Sequence, residues 1–263
     1  MKITSLTNPR IKQLVRLRDR KARRETGLTL IDGWREIARA AEAGVEFKEM
    51  YLCPTLMKVG EEKLPDPTTL VSMDAVHEVN ALVYEKIAFG DRREGVVAVC
   101  VVPQKTFRDL ADRVNPCFVV VEDVEKPGNL GAILRSCDGA GIDGLIVCDE
   151  RTDIYGPNCI RASLGTVFTV AVVQAGEEET REFLKQQQTR IFATTPAATQ
   201  KYTDADFRGP TAIVVGSEEA GLSEFWLTAN DVKLQIPMRG KADSLNVSVA
   251  TALIIYEVLR QRS

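Results

Sequence analysis

Six apolar runs recur through the second half of the chain, each followed by a turn or a helical stretch. They are CFVVVED, GLIVCDE, FTVAVV, RIFATT, TAIVVGSE and VKLQIP. Strands rich in Val and Ile, apolar along nearly their whole length, need cover on both faces. Alternating with helices such as NLGAILRSCDGA, EEETREFLKQQQ and the closing LNVSVATALIIYEVLRQR, they predict a mainly parallel sheet between helical layers.

The first hundred residues follow a similar rhythm on a smaller scale. Asn8 and Pro9 read as the cap and first turn of a helix over PRIKQLVRLRDRKARR. TGLTLIDG reads as a strand, WREIARAAEAG as a helix closed by Gly44, and FKEMYLC as a strand. TTLVS and MDAVHEVN repeat the strand–helix step, which places His77 on a helix, exposed or half-buried. GVVAVCV closes the module as a buried strand. The polar stretch PQKTFRDLADRVNP, bounded by Pro103 and Pro116, reads as a linker carrying a short helix. The expected division is a small α/β domain at 1–106 and a larger one at 107–263.

Composition narrows the function classes. No apolar run approaches the length of a bilayer span, and no N-terminal apolar segment precedes a small-residue cleavage site. The six cysteines form no C-x-x-C pair and read as reduced thiols of a cytoplasmic protein. A single histidine, with no clustered Cys or carboxylate partners, argues against zinc and against a Ser-His-Asp triad. The net charge of −3 is unevenly spread. Residues 1–26 carry nine Lys or Arg against Asp19 and Glu25, a net of +7, leaving −10 on the remaining 237 residues. A basic arm on an acidic body is the footprint of a polyanion binder, with Arg10, Lys12, Arg16, Arg20, Arg23 and Arg24 as candidate phosphate contacts. Arg16, Arg20 and Arg23 fall at helical spacings and are expected on one exposed face. A solvated helix face and an organelle-targeting segment are the competing readings of the same charges.

Residues 126–144, KPGNLGAILRSCDGAGIDG, contain two incompatible signals. Gly139, Gly141 and Gly144 spell the G-x-G-x-x-G of a dinucleotide turn, which needs a strand before it and a helix after it. Here the helix comes first and the strand LIVCD follows, so these glycines end a helix and turn the chain. The overlapping N-x-G-x-x-x-R of Asn129, Gly131 and Arg135 lies after a strand ending in VED. Two later segments share this pattern of a hydrophobic strand running into a polar turn: VVGSEEAGLS at 214–223 and IPMRGKADSLNVSVA at 236–250.

Together these three segments resemble the SpoU/TrmH family of RNA ribose 2′-O-methyltransferases, part of the SPOUT superfamily. The resemblance covers roughly residues 117–262, includes RASLGTVFTV between the first and second motifs, and extends more loosely to a ribosomal-protein-like substrate-binding module in the first hundred residues. It implies a C-terminal α/β domain with a trefoil-knotted, mainly parallel sheet flanked by helices, and a smaller N-terminal α/β RNA-binding domain. It also implies a homodimer joined by helices of the C-terminal domain. The closing helix is apolar enough to support this, with Leu245, Val249, Leu253 and Tyr256 along one stripe. One departure stands out: Glu219 occupies a place where the family usually has glycine, which puts the 216–221 loop conformation in question.

The resemblance implies S-adenosylmethionine as methyl donor, no metal, and RNA as substrate, with ribosomal RNA favoured over tRNA because of the accessory domain. The positions matching the catalytic motifs are Asn129, Arg135, Glu218, Ser244 and Asn246. Gly216, Ile236, Leu245, Thr194 and Thr195 match the cofactor pocket, at the carboxyl ends of strands where ligands of open α/β sheets collect. Ile236 and Leu245 also read as core residues, and Ser244 also reads as the N-cap of the last helix. The family proposal makes the arginine a general base. A guanidinium stays protonated up to about pH 12, so a phosphate clamp that steadies the forming alkoxide is the chemically simpler role. A tRNA enzyme and a non-catalytic RNA-binding protein of the same fold are the alternatives. The second predicts erosion of the polar motif positions, all of which are intact.

Overall fold

Asn8 begins the first helix as its sequence requires, its side chain accepting from the Arg10 amide at 2.9 Å and Pro9 following at the first helical position. The computed structural model describes residues 1–57, 66–89, 93–149, 151–228 and 232–263. These divide into two compact units, Met1–Pro103 with Asp153–Thr169, and Gln104–Thr152 with Val170–Ser263.

The first unit runs β1 (Lys2–Ile3), α1 (Pro9–Arg16), α2 (Arg20–Thr26), β2 (Leu28–Asp32), α3 (Trp34–Glu42), β3 (Phe47–Leu52), α4 (Pro67–Leu70), β4 (Val76–Val79), α5 (Ala81–Ile87) and β5 (Val96–Val101). Its five-stranded sheet has the order β1-β4-β3-β5-β2, parallel across β1, β4 and β3 and antiparallel at β5. The single helix expected from Pro9 to Arg24 is broken. Asp19 adopts extended backbone and its carboxylate accepts from the Lys21 amide at 2.7 Å, starting a second helix. Arg23 turns inward, 5% exposed, and donates to the carbonyls of Leu17 (2.6 Å) and Arg18 (2.8 Å) at the break while pairing with Asp153. Arg16, Arg20 and Arg23 therefore share no exposed face.

Two further local readings are corrected here. TTLVS is not a strand: Asp66 caps a helical turn that opens with Pro67, the Thr68 amide donating to its carboxylate at 2.9 Å. MDAVHEV is a 3-10 turn followed by β4, so His77 lies on a strand and is 1% exposed. Pairing decided this. β4 sits between β1 and β3, in register Lys2↔Glu78 and Met50↔Val76, and that tertiary context outweighs a short ambiguous period.

The second unit begins with β6 (Cys117–Val121), α6 (Pro127–Ala140) and β7 (Gly144–Val147). Gly141 closes α6 in the left-handed region at φ 66°, a helix stop and not a phosphate turn. α7 (Pro157–Ala162) and α8 (Thr166–Thr169) then belong to the first unit. There Thr29 Oγ1 donates to the Tyr155 carbonyl at 2.7 Å, and Arg39 donates to the Leu164 carbonyl at 2.6 Å. Part of the FTVAVV run is thus helical, and the strand is shorter than expected. The sequence alone assigns 153–169 to the larger domain, because periodicity shows that a helix buries one face but not which core receives it.

The chain continues with β8 (Val172–Gln174), α9 (Glu177–Gln186), β9 (Arg190–Thr194), β10 (Gln200–Lys201), β11 (Thr211–Val215), α10 (Glu224–Thr228), β12 (Val232–Gln235) and α11 (Val247–Arg262). The seven strands are all parallel, in the order β10-β12-β9-β11-β6-β7-β8. β6, β7 and β11 are buried along their entire length, as their unbroken apolar runs require. Phe118, Val120, Phe183, Ala212, Val214 and Trp226 join one core cluster. Each fully buried Val or Phe there contributes about 1.5–3 kcal/mol relative to exposure. α11 packs on α6. Its last turn is fastened by Arg262, whose guanidinium donates to the carbonyls of Phe207, Asn115, Gly209 and Pro116.

Candidate active site

The three polar segments meet where α6 and α11 begin. Asn129 stands in the first turn of α6, behind Pro127. Asn246 is the N-cap of α11, so the capping role that Ser244 also fitted belongs to Asn246. Glu218 lies in the turn after β11. The Asn246 Nδ2 group donates to Asn129 Oδ1 at 3.0 Å and to Glu218 Oε1, while Lys126 Nζ donates to Glu218 Oε2 at 2.6 Å. Lys126 was not singled out from the sequence. It stands at the head of the P-G-N turn, but a lysine before a helix carries no spacing signal.

The cap fixes the orientation of this network. Asn246 Oδ1 accepts from both the Ser248 amide (3.0 Å) and the Ser248 hydroxyl (2.6 Å). A backbone N–H can only donate, so the oxygen must face the helix and the NH2 must face Asn129 and Glu218. Asn129 in turn uses its oxygen as acceptor, so its NH2 is the donor, one N–H serving Glu218 and the other left for an oxygen on a substrate. Lys126 foremost, with Asn129 and Asn246, holds the Glu218 carboxyl below the usual carboxylate range, and Glu218 raises the Lys126 ammonium. Glu218 is therefore a settled carboxylate at neutral pH.

The Arg135 side chain is exposed on α6 and makes no hydrogen bond or ion pair among the described residues, Glu218 included. Ser244 is likewise exposed and unbonded among the described residues. Arg10 pairs with Glu49, and Arg23 is buried as described. Lys12, Arg16 and Arg24 are exposed and Arg20 is half-buried.

The positions matched to a cofactor lie at adjacent strand ends. β9 ends at Thr194, flanked by β11 and β12, with Val214 opposite Ala193 and Leu234 opposite Thr194. Gly216 and Ile236 follow directly. The Thr194 hydroxyl donates to the Val214 carbonyl at 2.9 Å, and the Thr195 amide donates to the Leu234 carbonyl at 2.9 Å, so both threonines brace the rim. Among the described residues the amides of Gly216, Ile236 and Met238 have no carbonyl partner. Half-buried Ile236 and Leu245 supply apolar walls. Flat apolar faces bordered by free backbone donors suit an adenosine, so these residues fit S-adenosylmethionine.

The loop beyond Gly216 closes on itself. The Ser217 and Gly221 amides exchange 3.1 Å bonds with each other's carbonyls, and Gly221 carries the positive φ of 69°. Glu219 keeps negative φ, so a side chain is accommodated where the family usually has glycine. A Cβ on Gly216 would lie 2.1 Å from the Gly221 carbonyl oxygen. The absent side chain makes room for the loop itself.

A carboxyl pair, Glu122 and Glu177, braces the chain just after that loop. Glu122, at the end of β6, accepts from the Ser223 amide at 2.8 Å. Its hydrogen bond to Glu177, together with burial and its charge, pushes Glu177 up to about 7. A carboxyl raised on folding stabilises the fold below its unfolded value, and that contribution is lost as pH rises through the folded one. Thermal stability is thus expected to fall as pH increases through about 7, and Glu177→Gln is expected to flatten the profile. Calorimetric melts between pH 6 and 8.5 check this; parallel profiles for both proteins would break the link.

A family model for the SpoU rRNA methylases matches residues 116–256, more than half of the chain. The chain belongs to the SpoU rRNA methylase family. A second model, the MRM3-like substrate binding domain, matches residues 8–98. Among relatives of this SpoU protein, a 23S rRNA (uridine(2479)-2′-O)-methyltransferase of Streptomyces viridochromogenes is 32% identical, covering 94% of this chain and 87% of that protein. A solved RNA 2′-O ribose methyltransferase is 40% identical with a TM-score of 0.85, covering 100% of this chain and 99% of the other. An AdoMet-bound rRNA methyltransferase from Sinorhizobium meliloti is 30% identical with a TM-score of 0.89, covering 99% and 97%. Among the described residues of the SpoU protein, no His, Cys, Asp and Glu group could hold a metal ion, and no helix is long and apolar enough to cross a membrane.

Proposed function

We propose that this protein transfers the methyl group of S-adenosylmethionine to a ribose 2′-hydroxyl of ribosomal RNA. The observation that carries the reading is the joining of Asn129, Glu218 and Asn246 from three segments into one oriented network, in the unit whose adjacent strand ends fit the cofactor. The bound cofactor supplies an electrophilic methyl on a sulfonium. The chain's own residues do the rest. Ile236 and Leu245 would flank the adenine, and the free amides at the strand ends would hold its edge. Asn129, its NH2 aimed outward by Asn246, donates to the ribose oxygen. Arg135 holds the neighbouring phosphate and steadies the charge developing on that oxygen as its proton passes to solvent water and the methyl is received. Ser244 lies beside Asn246 at the entry to α11 and contacts the ribose or its phosphate.

Ribosomal RNA is favoured over tRNA because relatives and structures aligned over nearly the whole chain are described as acting on rRNA, whereas a tRNA-modifying TrmH/SpoU neighbour aligns over 59% of it. Incubation with methyl-labelled cofactor and either 23S rRNA or bulk tRNA, followed by alkaline hydrolysis, tests both points. The expected product is a hydrolysis-resistant dinucleotide from rRNA only. Label confined to a base, or to tRNA, would overturn the reading, and so would no transfer to any RNA. Lys12, Arg16, Arg20 and Arg24 are the phosphate contacts of the basic arm in this reading. Six buried, unpaired thiols are consistent with action in the cytoplasm.

The reading extends to a trefoil knot and a homodimer. β12 lies beyond β9, yet α11 packs on α6 and β11, so the chain between them crosses the strand ends it has already formed. Tracing this crossing in experimental density checks the knot. For the dimer, α11 buries Val247, Ile254, Ile255 and Val258 but leaves Val249 and Tyr256 each 48% exposed, Leu253 40% and Leu259 38%. The Tyr256 hydroxyl lies over Gly139 of α6, which smooths the patch. An apolar face of this kind marks an association site. Sedimentation is expected to show twice the 29.0 kDa chain mass, and Leu253→Glu is expected to yield monomers. A wild-type monomer at micromolar concentration would exclude the dimer.

A further inference from the structure

We infer that the groove between α1 and α2 in the first unit is a pocket for one unstacked RNA nucleobase, separate from the methylated nucleotide. The inference rests on the RNA methyltransferase reading and adds a second point of recognition to it. The groove encloses about 310 Å³, a volume suited to a nucleoside and too small for a protein helix. Leu14, Leu17, Ala22, Leu28 and Val99 form its apolar floor, over strands β2 and β5. The rim is polar and divides into two sets. Arg10, Glu49 and Thr26 are engaged: Arg10 pairs with Glu49, Tyr51 also donates to Glu49 at 2.6 Å, and the Thr26 hydroxyl donates to the Ala22 carbonyl at 2.8 Å. The Gln13 and Arg16 side chains are exposed and make no hydrogen bond or ion pair among the described residues.

That division fits a base better than a peptide. A base needs apolar contact on its faces, a few groups along its edge, and a cation near its phosphate. Gln13, one turn from Arg10 and one from Arg16, offers both a donor and an acceptor to an edge. Glu25, also at the rim and 4.0 Å from the Lys21 ammonium, accepts only, which favours a base carrying an exocyclic amine over uracil. Arg16 is placed to take the phosphate or to lay its planar guanidinium on the base. The net charge of +7 over residues 1–26 complements RNA and would repel a basic peptide. The match of residues 8–98 to a substrate binding domain covers all of the rim and floor except Val99.

The test is a methyl-resolved NMR titration of the full chain, saturated with S-adenosylmethionine so that adenosine cannot be read from the cofactor site. The probes are AMP, CMP, UMP and ribose 5-phosphate. AMP and CMP are expected to shift the methyls of Leu14, Leu28 and Val99 saturably, with affinity on the order of millimolar. UMP should act more weakly, and ribose 5-phosphate should leave those methyls unmoved. Gln13→Ala and Arg16→Ala are each expected to weaken AMP and CMP binding roughly fivefold, with cofactor affinity unchanged. Equal shifts from ribose 5-phosphate would reduce the groove to an anion site and overturn the proposal. It also falls if no nucleotide moves these methyls, or if they shift with protein concentration alone, which would mark a contact between copies. The titration needs no methyl transfer, so its outcome is independent of the catalytic assay.

Discussion

Arg135→Ala is expected to lower methyl transfer by a factor on the order of 10²–10³ while cofactor affinity stays within about twofold. The guanidinium is exposed on α6, makes no hydrogen bond or ion pair among the described residues, and stands on the helix that presents Asn129. Removing it leaves no structural bond broken, so folding and the strand-end pocket should be unaffected. In the proposed mechanism, what is lost is positive charge where the ribose oxygen becomes anionic. Arg135→Lys separates the two roles this residue could play. A phosphate clamp keeps partial activity, because lysine still brings charge, although without the bidentate fork of a guanidinium. A general base specific to the guanidinium loses nearly everything in both variants. Single-turnover rates with saturating cofactor provide the comparison, and full activity in Arg135→Ala would sink both roles.

Gly216→Ala is expected to remove cofactor binding while the protein remains folded. The new Cβ would sit 2.1 Å from the Gly221 oxygen, 2.2 Å from its carbonyl carbon and 2.5 Å from the Leu222 nitrogen. All three are backbone atoms of the returning loop, so no side chain can swing aside to make room. The Ser217–Gly221 closure must open, and Glu218 moves with it, away from Lys126 and Asn246. The clash is purely steric, since Gly216 does not use positive φ. Calorimetry on the variant, with thermal unfolding recorded beside it, decides the matter. Unchanged cofactor affinity in a folded Gly216→Ala protein would show that this loop does not form the pocket.

Much of this was legible because it depends on pattern and not on distance. The parallel sheet followed from continuous Val and Ile runs, which only strands covered on both faces can use. The rejection of a dinucleotide turn followed from the order of helix and strand around Gly139, Gly141 and Gly144. Asn129, Glu218 and Asn246 were recognisable from their motifs. Lys126 was not, because its partner Glu218 lies 92 residues away and nothing local records the pairing.

The remaining errors share a cause. Arg16, Arg20 and Arg23 have helical spacing, yet Asp19 offers its own capping bond and Arg23 finds backbone carbonyls and Asp153 in the interior. His77 sits in a segment whose period is too short to distinguish helix from strand, and pairing with β1 and β3 settled it. By itself, then, the sequence indicated which segments are apolar on one face or two, the caps of several helices, and which polar residues match one family pattern. Only the tertiary structure decided which core takes residues 153–169, which arginines remain at the surface, and which way the Asn246 amide points. Those outcomes depend on partners far along the chain, and on the rule that a buried charge or N–H must find one.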